Sequence, residues 1–466
     1  MLRRTTGMVF QISFLSVTAV LLLAGSGRGA RLTGDADSGD DDPETKIEAF
    51  LARYVTSHNF SGVVLASHGG DEVIAKGYGW ADSELGVPVE AHSRFRVGSV
   101  SKSFTAAAVL LLRDRGVLEL DEAVARYIGD FPHGDRISVR NLLAHRSGLA
   151  NLFSYPDYAD ISRRHYERPL DLVALVAEKE LQFDPGTRFA YNNMNYTALA
   201  YLIEEVSGVP YGEFVHRELL VPLGMSETRD GSDVTQMVPN LAKPHDPVGM
   251  WGLRKSRYVD YSVFTGSGSI VSTAGDLVRW VEGQVGSRQV LGEDSRRDVL
   301  EFAWSESDDS GRRVIAAQGW DGVGYSAHVV HFPDEALTVV VLCNLNIARV
   351  DGEIARGVSA IILGEEPEMM PLDPKPLPED SLQALAGKYR FGDDFYVPGG
   401  VLDVVARDGE LYDVGREPEA GLIPLADGTF LYRPVWARIR FLSDGDGRVT
   451  GLRFYDRFVA ERAERP

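Results

Sequence analysis

Ser99 and Lys102 stand three residues apart at the start of the run 103–112 (SFTAAAVLLL). This run is apolar on nearly every face, which predicts a buried helix. Residues three apart on a helix share a face, so the lysine ammonium would lie one turn from the serine hydroxyl. A buried lysine loses its proton more readily and could activate the hydroxyl as a nucleophile. Since the chain has eight lysines, one such spacing is expected by chance, and a helix cap is the alternative role for Ser99.

Tyr191 and Asn193 form the single Tyr-x-Asn sequence in the chain, directly after a turn at residues 184–187 (DPGT). A phenol held beside a lysine can carry a proton, and an asparagine amide both donates and accepts hydrogen bonds. The alternative is a buried tyrosine followed by an asparagine that caps the next helix. The sequence therefore contains two groups that could perform acid–base chemistry, and neither group alone decides the reaction.

Strand and helix patterns surround these residues. A predicted helix over 46–55 precedes a hairpin with strands at 61–67 and 72–75, and two more strands, 328–332 and 336–344, flank a Pro-Asp turn. Helical periods dominate between them, over 104–113, 170–178, 196–206 and 211–220. One antiparallel sheet built from both ends of this region, with a helical insertion between them, is the arrangement that these patterns favour. The predicted fold class is α+β.

Composition divides the chain into five segments. Residues 1–30 begin with Arg3 and Arg4 and continue with an apolar stretch, which is typical of a signal peptide, with an uncleaved membrane anchor as the alternative. Residues 31–45 are predicted to be an acidic linker and residues 365–380 a proline-rich linker. The first linker leads to the main domain, 46–364, and the second to a small all-β domain, 381–466, with Asp-Gly turns. We expect an exported protein, periplasmic or secreted, that contacts membrane only if the signal is retained.

Charge and cysteine content exclude several classes of protein. The chain of 466 residues has 48 Lys and Arg against 68 Asp and Glu, a net charge of -20. A surface this acidic repels phosphate backbones, so nucleic acid is not an expected partner. The single cysteine, Cys343, excludes intrachain disulfides and Cys-rich metal sites, and its apolar surroundings predict burial. The chain also has no zinc-protease, P-loop or dinucleotide motif, so we expect neither metal nor cofactor.

Five segments resemble, in the same order, the motifs of the serine β-lactamase and penicillin-binding-protein-like hydrolases of the class C and esterase type. The segments are 95–104 (FRVGSVSKSF), 142–149 (LLAHRSGL), 183–193 (FDPGTRFAYNN), 222–225 (PLGM) and 268–276 (GSIVSTAGD). The resemblance covers residues 46–363, and the tail from Ser381 resembles the lipocalin-like β-domain of many relatives. It implies a β-lactamase/transpeptidase-like antiparallel sheet flanked by helices, plus a C-terminal lipocalin-like domain. Within these segments, His145 and Gly148 are interpreted as structural residues.

The resemblance also implies roles for the candidate residues. Ser99 would be the acylated nucleophile, Lys102 and Tyr191 would share general acid–base work, and Asn193 would hydrogen-bond Lys102 or the substrate. The oxyanion hole would combine the backbone N–H of Ser99 with one on the strand that carries the third motif. The implied substrates are small esters, amides or β-lactams, with peptidoglycan as a further candidate partner.

The third motif of this family is usually Lys or His, then any residue, then Gly, and this chain departs from it. The corresponding stretch is 318–325 (QGWDGVGY). Aligning on its Gly-Tyr pair places Trp320-Asp321-Gly322 at the motif and makes Val323 the second oxyanion donor, whereas a two-residue shift places Gln318 there. Neither alignment supplies a cation for a substrate carboxylate, and an indole offers one N–H and a large apolar face.

Trp-x-Gly at this place resembles the family VIII esterases, so we expect hydrolysis of neutral carboxylic esters through an acyl-enzyme. A plain core aromatic is the alternative role of Trp320. Two alternatives to the ester reaction stay open. One is β-lactamase, DD-carboxypeptidase or D-aminopeptidase activity, and the other is an inactive cell-envelope binding protein, which the altered third motif would suit.

Overall fold

The computed structural model describes residues 42–285, 290–395 and 399–463. The predicted signal peptide over 1–30 and residues 31–41 of the predicted acidic linker lie outside these ranges. Within them, the helices are all too short or too polar to cross a bilayer.

A six-stranded antiparallel sheet forms the centre of residues 43–362, which we call the catalytic unit. Its elements begin with α1 (Pro43–Thr56), β1 (Gly62–His68), β2 (Asp71–Tyr78), β3 (Trp80–Asp82), β4 (Val87–Pro88), β5 (Phe95–Arg96) and α2 (Ser101–Asp114). The insertion contains α3 (Val139–Leu143), α4 (Tyr158–Ile161), α5 (Pro169–Ala174), α6 (Asn193–Ser207), α7 (Tyr211–Val215), β6 (Arg229–Asp230), β7 (His245–Val248), β8 (Gly252–Lys255), β9 (Ile270–Ser272) and α8 (Ala274–Val285). The unit ends with α9 (Glu293–Ala303), β10 (Ser305–Asp309), β11 (Arg312–Trp320), β12 (Ser326–Phe332), β13 (Leu337–Cys343) and α10 (Val350–Ile362).

The strand order is β10-β11-β12-β13-β1-β2, so both ends of the unit meet at the β13–β1 pair, as the sequence patterns indicated. Side chains alternate across this sheet. Val340 and Leu342 pack with α2 and α8 on one face, while Val341 and Cys343 pack with α1 and α10 on the other. Cys343 is buried as predicted, and burial raises the pKa of its thiol to about 12. The predicted α+β class is confirmed.

Among the predicted boundaries that differ from the structure, three concern the ends of helices. α1 begins at Pro43, because the Asp42 carboxylate accepts the Thr45 N–H at 3.3 Å, so the predicted acidic linker ends at Asp42 rather than at residue 45. The helix predicted over 170–178 ends at Ala174, after which the backbone closes tighter turns onto carbonyls three residues back. The helix predicted over 211–220 changes after Val215 to a π-helical turn, His216–Leu220.

The C-terminal part forms a closed eight-stranded antiparallel barrel, which we call the barrel. After the short helix α11 (Glu379–Leu385), its strands are β14 (Gly387–Phe391), β15 (Val401–Arg407), β16 (Glu410–Asp413), β17 (Ala420–Pro424), β18 (Phe430–Tyr432), β19 (Ala437–Ser443), β20 (Val449–Phe454) and β21 (Phe458–Arg462). Asp408 and Gly409 turn between β15 and β16 with φ of 54° and 79°, which suits a two-residue hairpin. Buried aromatic side chains fill the interior, and the all-β lipocalin-like prediction is confirmed.

Candidate active site

Ser99 lies in a single 3-10 turn, Gly98–Val100, immediately before α2. Gly98 has φ of +50°, a conformation that glycine adopts without strain, and it turns the chain from β5 into the helix. Ser99 is partly exposed, whereas Lys102 in the first turn of α2 is only 4% exposed. The serine hydroxyl is therefore accessible to a ligand while the lysine amine lies beneath it.

Four predicted residues form one hydrogen-bonded group. The Ser99 Oγ lies 2.6 Å from the Tyr191 hydroxyl and 3.1 Å from the Lys102 Nζ. Lys102 also donates to the Asn193 Oδ1 and to the Ser267 carbonyl, both at 2.7 Å. These acceptors are all neutral, so they orient the amine without stabilising its charged form as a carboxylate would.

Burial shifts the pKa values of Lys102 and Tyr191 in opposite directions. Desolvation holds the pKa of Lys102 well below its ordinary value, which favours the neutral amine, a proton acceptor. Desolvation raises the pKa of Tyr191 to about 12, against the opposing effect of the Ser99 hydrogen bond. Tyr191 therefore keeps its proton at neutral pH and can donate it. A neutral amine and a protonated phenol on either side of a hydroxyl can remove its proton and return one to a leaving group.

The position of Tyr191 depends on the start of α6. Asn192 caps this helix by accepting the Met194 N–H at 2.9 Å, which places Tyr191 just outside the helix and Asn193 in its first turn. The His145 ring packs at a tilt against the Tyr191 ring with centroids 4.6 Å apart, and its Nδ1 accepts the Asn192 N–H at 3.2 Å. Burial lowers the pKa of His145 to about 3, so this ring is neutral. It supports the tyrosine, as its structural interpretation implied.

The end of β11 lies against the nucleophile because both segments, the turn before Ser99 and the strand, carry a glycine at the point of approach. A Cβ on Gly319 would stand 1.9 Å from the Val97 carbonyl oxygen and 2.8 Å from the Ser99 nitrogen. A Cβ on Gly98 would stand 2.8 Å from the Trp320 nitrogen. Only this pair of glycines allows such an approach, and sequence reasoning missed it. The pairing of Gly98, just before the nucleophile, with a glycine on a late strand was the available signal.

The oxyanion donor predicted at Val323 does not fit the structure. The Val323 N–H donates to the Asp321 Oδ1 at 2.9 Å and holds the turn after β11. The Asp321 N–H donates to the Tyr325 carbonyl on the β12 side at 3.2 Å. Since N–H groups along an antiparallel strand alternate in direction, the N–H of Trp320 points to the opposite edge, where Gly98 and Ser99 lie. The N–H groups of Ser99 and Trp320 are the pair that this geometry supports.

The side chain of Trp320 is bound by Asn346. Because Gly319 faces the nucleophile, the next residue faces the other side of the sheet, and the Trp320 Nε1 donates to the Asn346 Oδ1 at 2.8 Å. Gly322 turns the chain with φ of +71°, and its carbonyl accepts from the Asn346 amide at 3.3 Å. Contact of the indole face or of Gly322 with substrate stays a prediction, and the part of Trp320 that lies beside Gly98 and Ser99 is its backbone nitrogen.

The third-motif triplet also shifts. Gly319 is the glycine of β11 that lies against Ser99, so the triplet at this position is Ala317-Gln318-Gly319. It begins one residue earlier than the alignment that placed Gln318 first. Ala317 is 7% exposed, and Gln318 is an exposed residue. Residues 317–323 contain no Lys, Arg or His, so the absence of a cation that the sequence indicated holds in either register.

Comparisons with known proteins agree with this site. A family model described as Beta-lactamase matches residues 47–361. The chain is 24% identical over 432 residues to penicillin-binding protein 4* of Bacillus subtilis (strain 168), covering 86% of this chain and 94% of that protein. It is 30% identical over 235 residues to the putative penicillin-binding protein PbpX of the same strain, covering 49% and 56% respectively. The protein is a serine hydrolase of the penicillin-binding-protein type. The chain belongs to the β-lactamase family.

Solved structures show the same fold. The octameric penicillin-binding protein homologue from Pyrococcus abyssi superposes with a TM-score of 0.62 at 22% identity, covering 89% of this chain and 99% of that one. The D-amino acid amidase from Ochrobactrum anthropi superposes with a TM-score of 0.57 at 21% identity, covering 64% and 91%. The β-lactamase/transpeptidase-like fold that the motifs implied is confirmed.

Proposed function

We propose that the protein hydrolyses small neutral carboxylic esters through an acyl-enzyme on Ser99. One observation carries this preference: the strand beside the nucleophile presents Ala317, Gln318 and backbone groups where many relatives place Lys or His. A substrate with a free carboxylate would gain no ion pair from this strand. A neutral ester needs none, because the two backbone N–H groups serve its carbonyl oxygen.

The contacts of Ser99 support the following order of proton transfers. The neutral Lys102 amine removes the Ser99 proton as the Oγ attacks the carbonyl carbon, and the resulting oxyanion accepts from the Ser99 and Trp320 N–H groups. Collapse of the tetrahedral intermediate breaks the bond to the alkoxide. Tyr191 gives the alkoxide a proton, so it leaves as the alcohol, and the proton that Lys102 took from Ser99 restores Tyr191. Water then attacks the acyl group, giving up a proton along the same path, and releases the carboxylic acid and Ser99.

A substrate comparison tests the ester preference. We expect kcat/KM for p-nitrophenyl butyrate to exceed that for nitrocefin and for D-alanine p-nitroanilide by about 100-fold or more, and Ser99→Ala to abolish the ester activity. The Ser99→Ala variant is the matched control, since it removes one oxygen and leaves the Lys102 contacts to Asn193 and Ser267. A larger efficiency on nitrocefin or on the anilide would overturn the proposal.

Penicillin binding is the second candidate function, and the relatives named penicillin-binding proteins favour it. The same Ser99 oxygen could open a β-lactam ring and retain it as a slowly hydrolysed adduct. Incubation with a fluorescent penicillin, followed by gel analysis of wild type and Ser99→Ala, measures this adduct directly. Labelling of wild type at a rate comparable with ester turnover would support penicillin binding as strongly as ester hydrolysis. Peptidoglycan fragments would then be assayed as substrates.

We also propose that the enzyme works outside the cytoplasm, on the evidence of the apolar N-terminal segment. Mass spectrometry of the protein recovered from its native host would show loss of about the first 30 residues. Recovery of a full-length cytoplasmic chain would contradict export.

A further inference from the structure

The barrel is joined to the catalytic unit by a buried arginine. Arg433, between β18 and β19, is 1% exposed and donates to the Asn59 Oδ1 at 2.8 Å, the Met250 carbonyl at 2.7 Å and the His58 carbonyl at 2.8 Å. Burial lowers its pKa to about 10, so it remains charged at neutral pH. Three fixed acceptors for one planar guanidinium define a single docked orientation of the barrel.

The barrel also contacts the hairpin β7–β8 at the same interface. The Gly421 N–H on β17 donates to the Gly249 carbonyl at 3.0 Å, and the Gly249 N–H donates to the Glu419 carbonyl at 3.2 Å. A Cβ on Gly421 would stand 2.4 Å from the Met250 Sδ and 2.8 Å from the Gly249 oxygen. The Arg254 guanidinium on β8 adds an ion pair at 2.6 Å to Glu417 of the barrel. The backbone of the hairpin therefore pairs directly with the barrel.

The hairpin in turn holds Asn346, the partner of the Trp320 indole. Asp246 on β7 is 6% exposed, and its Oδ1 accepts the Asn346 amide N–H at 2.8 Å and the Ser256 hydroxyl at 2.9 Å. The Asn346 backbone N–H donates to the His245 carbonyl at 2.8 Å. A carboxylate can only accept, so Asn346 must turn its amide nitrogen to Asp246 and its oxygen to the indole.

The loop that carries Asn346 also touches the barrel itself. The Ala348 N–H donates to the Pro434 carbonyl at 3.1 Å, next to Arg433. The segment after β13 is thus fixed at Asn346 by the hairpin and at Ala348 by the barrel. Hydrogen bonds therefore lead from the barrel through the hairpin and Asn346 to the Trp320 indole. The position of Trp320 is coupled to barrel docking through these contacts.

We propose that Asn346 and Asp246 are positioning residues for the oxyanion donor on Trp320, and that the barrel holds both in place. The proposal rests on the proposed function insofar as acylation of Ser99 uses the Trp320 N–H. Loss of the Asn346 contact frees the indole and lets the end of β11 shift from Ser99. A displacement of about 1 Å at a reacting group can cost about 100-fold in rate. We expect kcat to fall and KM to stay, since substrate binding does not use these side chains.

The test compares Asn346→Ala, Asp246→Asn and Gly421→Ala with two matched controls. Glu306→Gln breaks an exposed ion pair to Arg313 at the far end of β11. Gly445→Ala adds a Cβ in the barrel with nothing within 4 Å. The readouts are kcat and KM for p-nitrophenyl butyrate, the inhibition constant of phenylboronic acid, which forms a tetrahedral adduct on a serine oxygen, and the rate of Ser99 labelling by a fluorophosphonate.

For Asn346→Ala and Asp246→Asn we expect kcat, boronate affinity and labelling rate to fall together by about 10- to 100-fold with KM within threefold. Gly421→Ala should show a loss of about tenfold, and the controls should stay within twofold of wild type. Unchanged labelling and boronate affinity in the folded Asn346→Ala variant would overturn the proposal, as would a rise in KM alone, which would mean that the indole binds substrate. If wild type is labelled but hydrolyses no ester, only the ester function fails, and the labelling rates decide the positioning role. If wild type takes no label, both proposals fall.

Discussion

The two sides of the active site are built on different principles. On the helical side, the Ser99 hydroxyl lies within 3.1 Å of both the Lys102 amine and the Tyr191 hydroxyl. On the strand side, β11 contributes a backbone N–H. Gly319 has no side chain there, and the Trp320 indole binds Asn346. Chemistry on the first side depends on which residues are present. On the second side it depends on where the strand lies, so distant residues such as Asn346 control it.

The largest effect should come from the helical side. Ser99→Ala and Lys102→Met should each lower kcat by roughly 10⁴-fold, because the hydroxyl and the amine act on the same proton. The double variant should be no slower than either single variant, which steady-state rates on a p-nitrophenyl ester would show. Multiplicative losses in the double variant would mean that the two residues act in separate steps.

Tyr191→Phe should lower kcat by about 10²- to 10³-fold with little change in KM, because the phenol donates in the chemical step and not in binding. His145 would still have a ring of the same shape to stack on, so the fold should be retained. The same ester assay and a thermal unfolding scan measure both points. Turnover equal to wild type would remove Tyr191 from the proton path.

On the strand side, Gly319→Ala should cost about 100-fold in kcat, because its Cβ would collide with the Val97 carbonyl and push β11 from Ser99. The comparison is Gly322→Ala, whose Cβ would meet only the Trp320 indole at 3.9 Å. That variant should lose about 1 kcal/mol of stability to its left-handed φ and only a few-fold in rate. Denaturant titration and ester kinetics on both variants separate the two effects. Equal kinetic losses would show that the contact with Ser99 is not the cause.

The smallest effect is a change of pH profile rather than a loss. Raising the pH deprotonates Lys102, and the neutral amine is the active form, so kcat/KM should rise about tenfold per pH unit up to the pKa of Lys102. Burial places that pKa well below the ordinary 10.5. His145 cannot produce this limb, because its pKa is about 3. An ascending limb centred at 10.5 or above would indicate a solvated lysine and contradict the buried base.

The helical side could be read from the sequence, because three residues along a helix fix the distance from Ser99 to Lys102. Motif order then placed Tyr191 and Asn193 correctly beside them. The strand side could not be predicted from the sequence, because no local spacing determines which residue of 318–325 lies beside the nucleophile. The register of β11 against β12 and the approach of Gly319 to Ser99 decide it, and both arise from contacts across the sheet. The same reason hid Asn346 and Asp246, which join Trp320 only through the docked barrel.

The measurement that tests the account most directly is labelling of the folded protein with a fluorophosphonate, followed by peptide mapping of the adduct. The account expects one adduct, on Ser99, that is absent from Ser99→Ala and strongly slowed in Lys102→Met. A protein that takes no label, or an adduct on another serine that persists in Ser99→Ala, would contradict it.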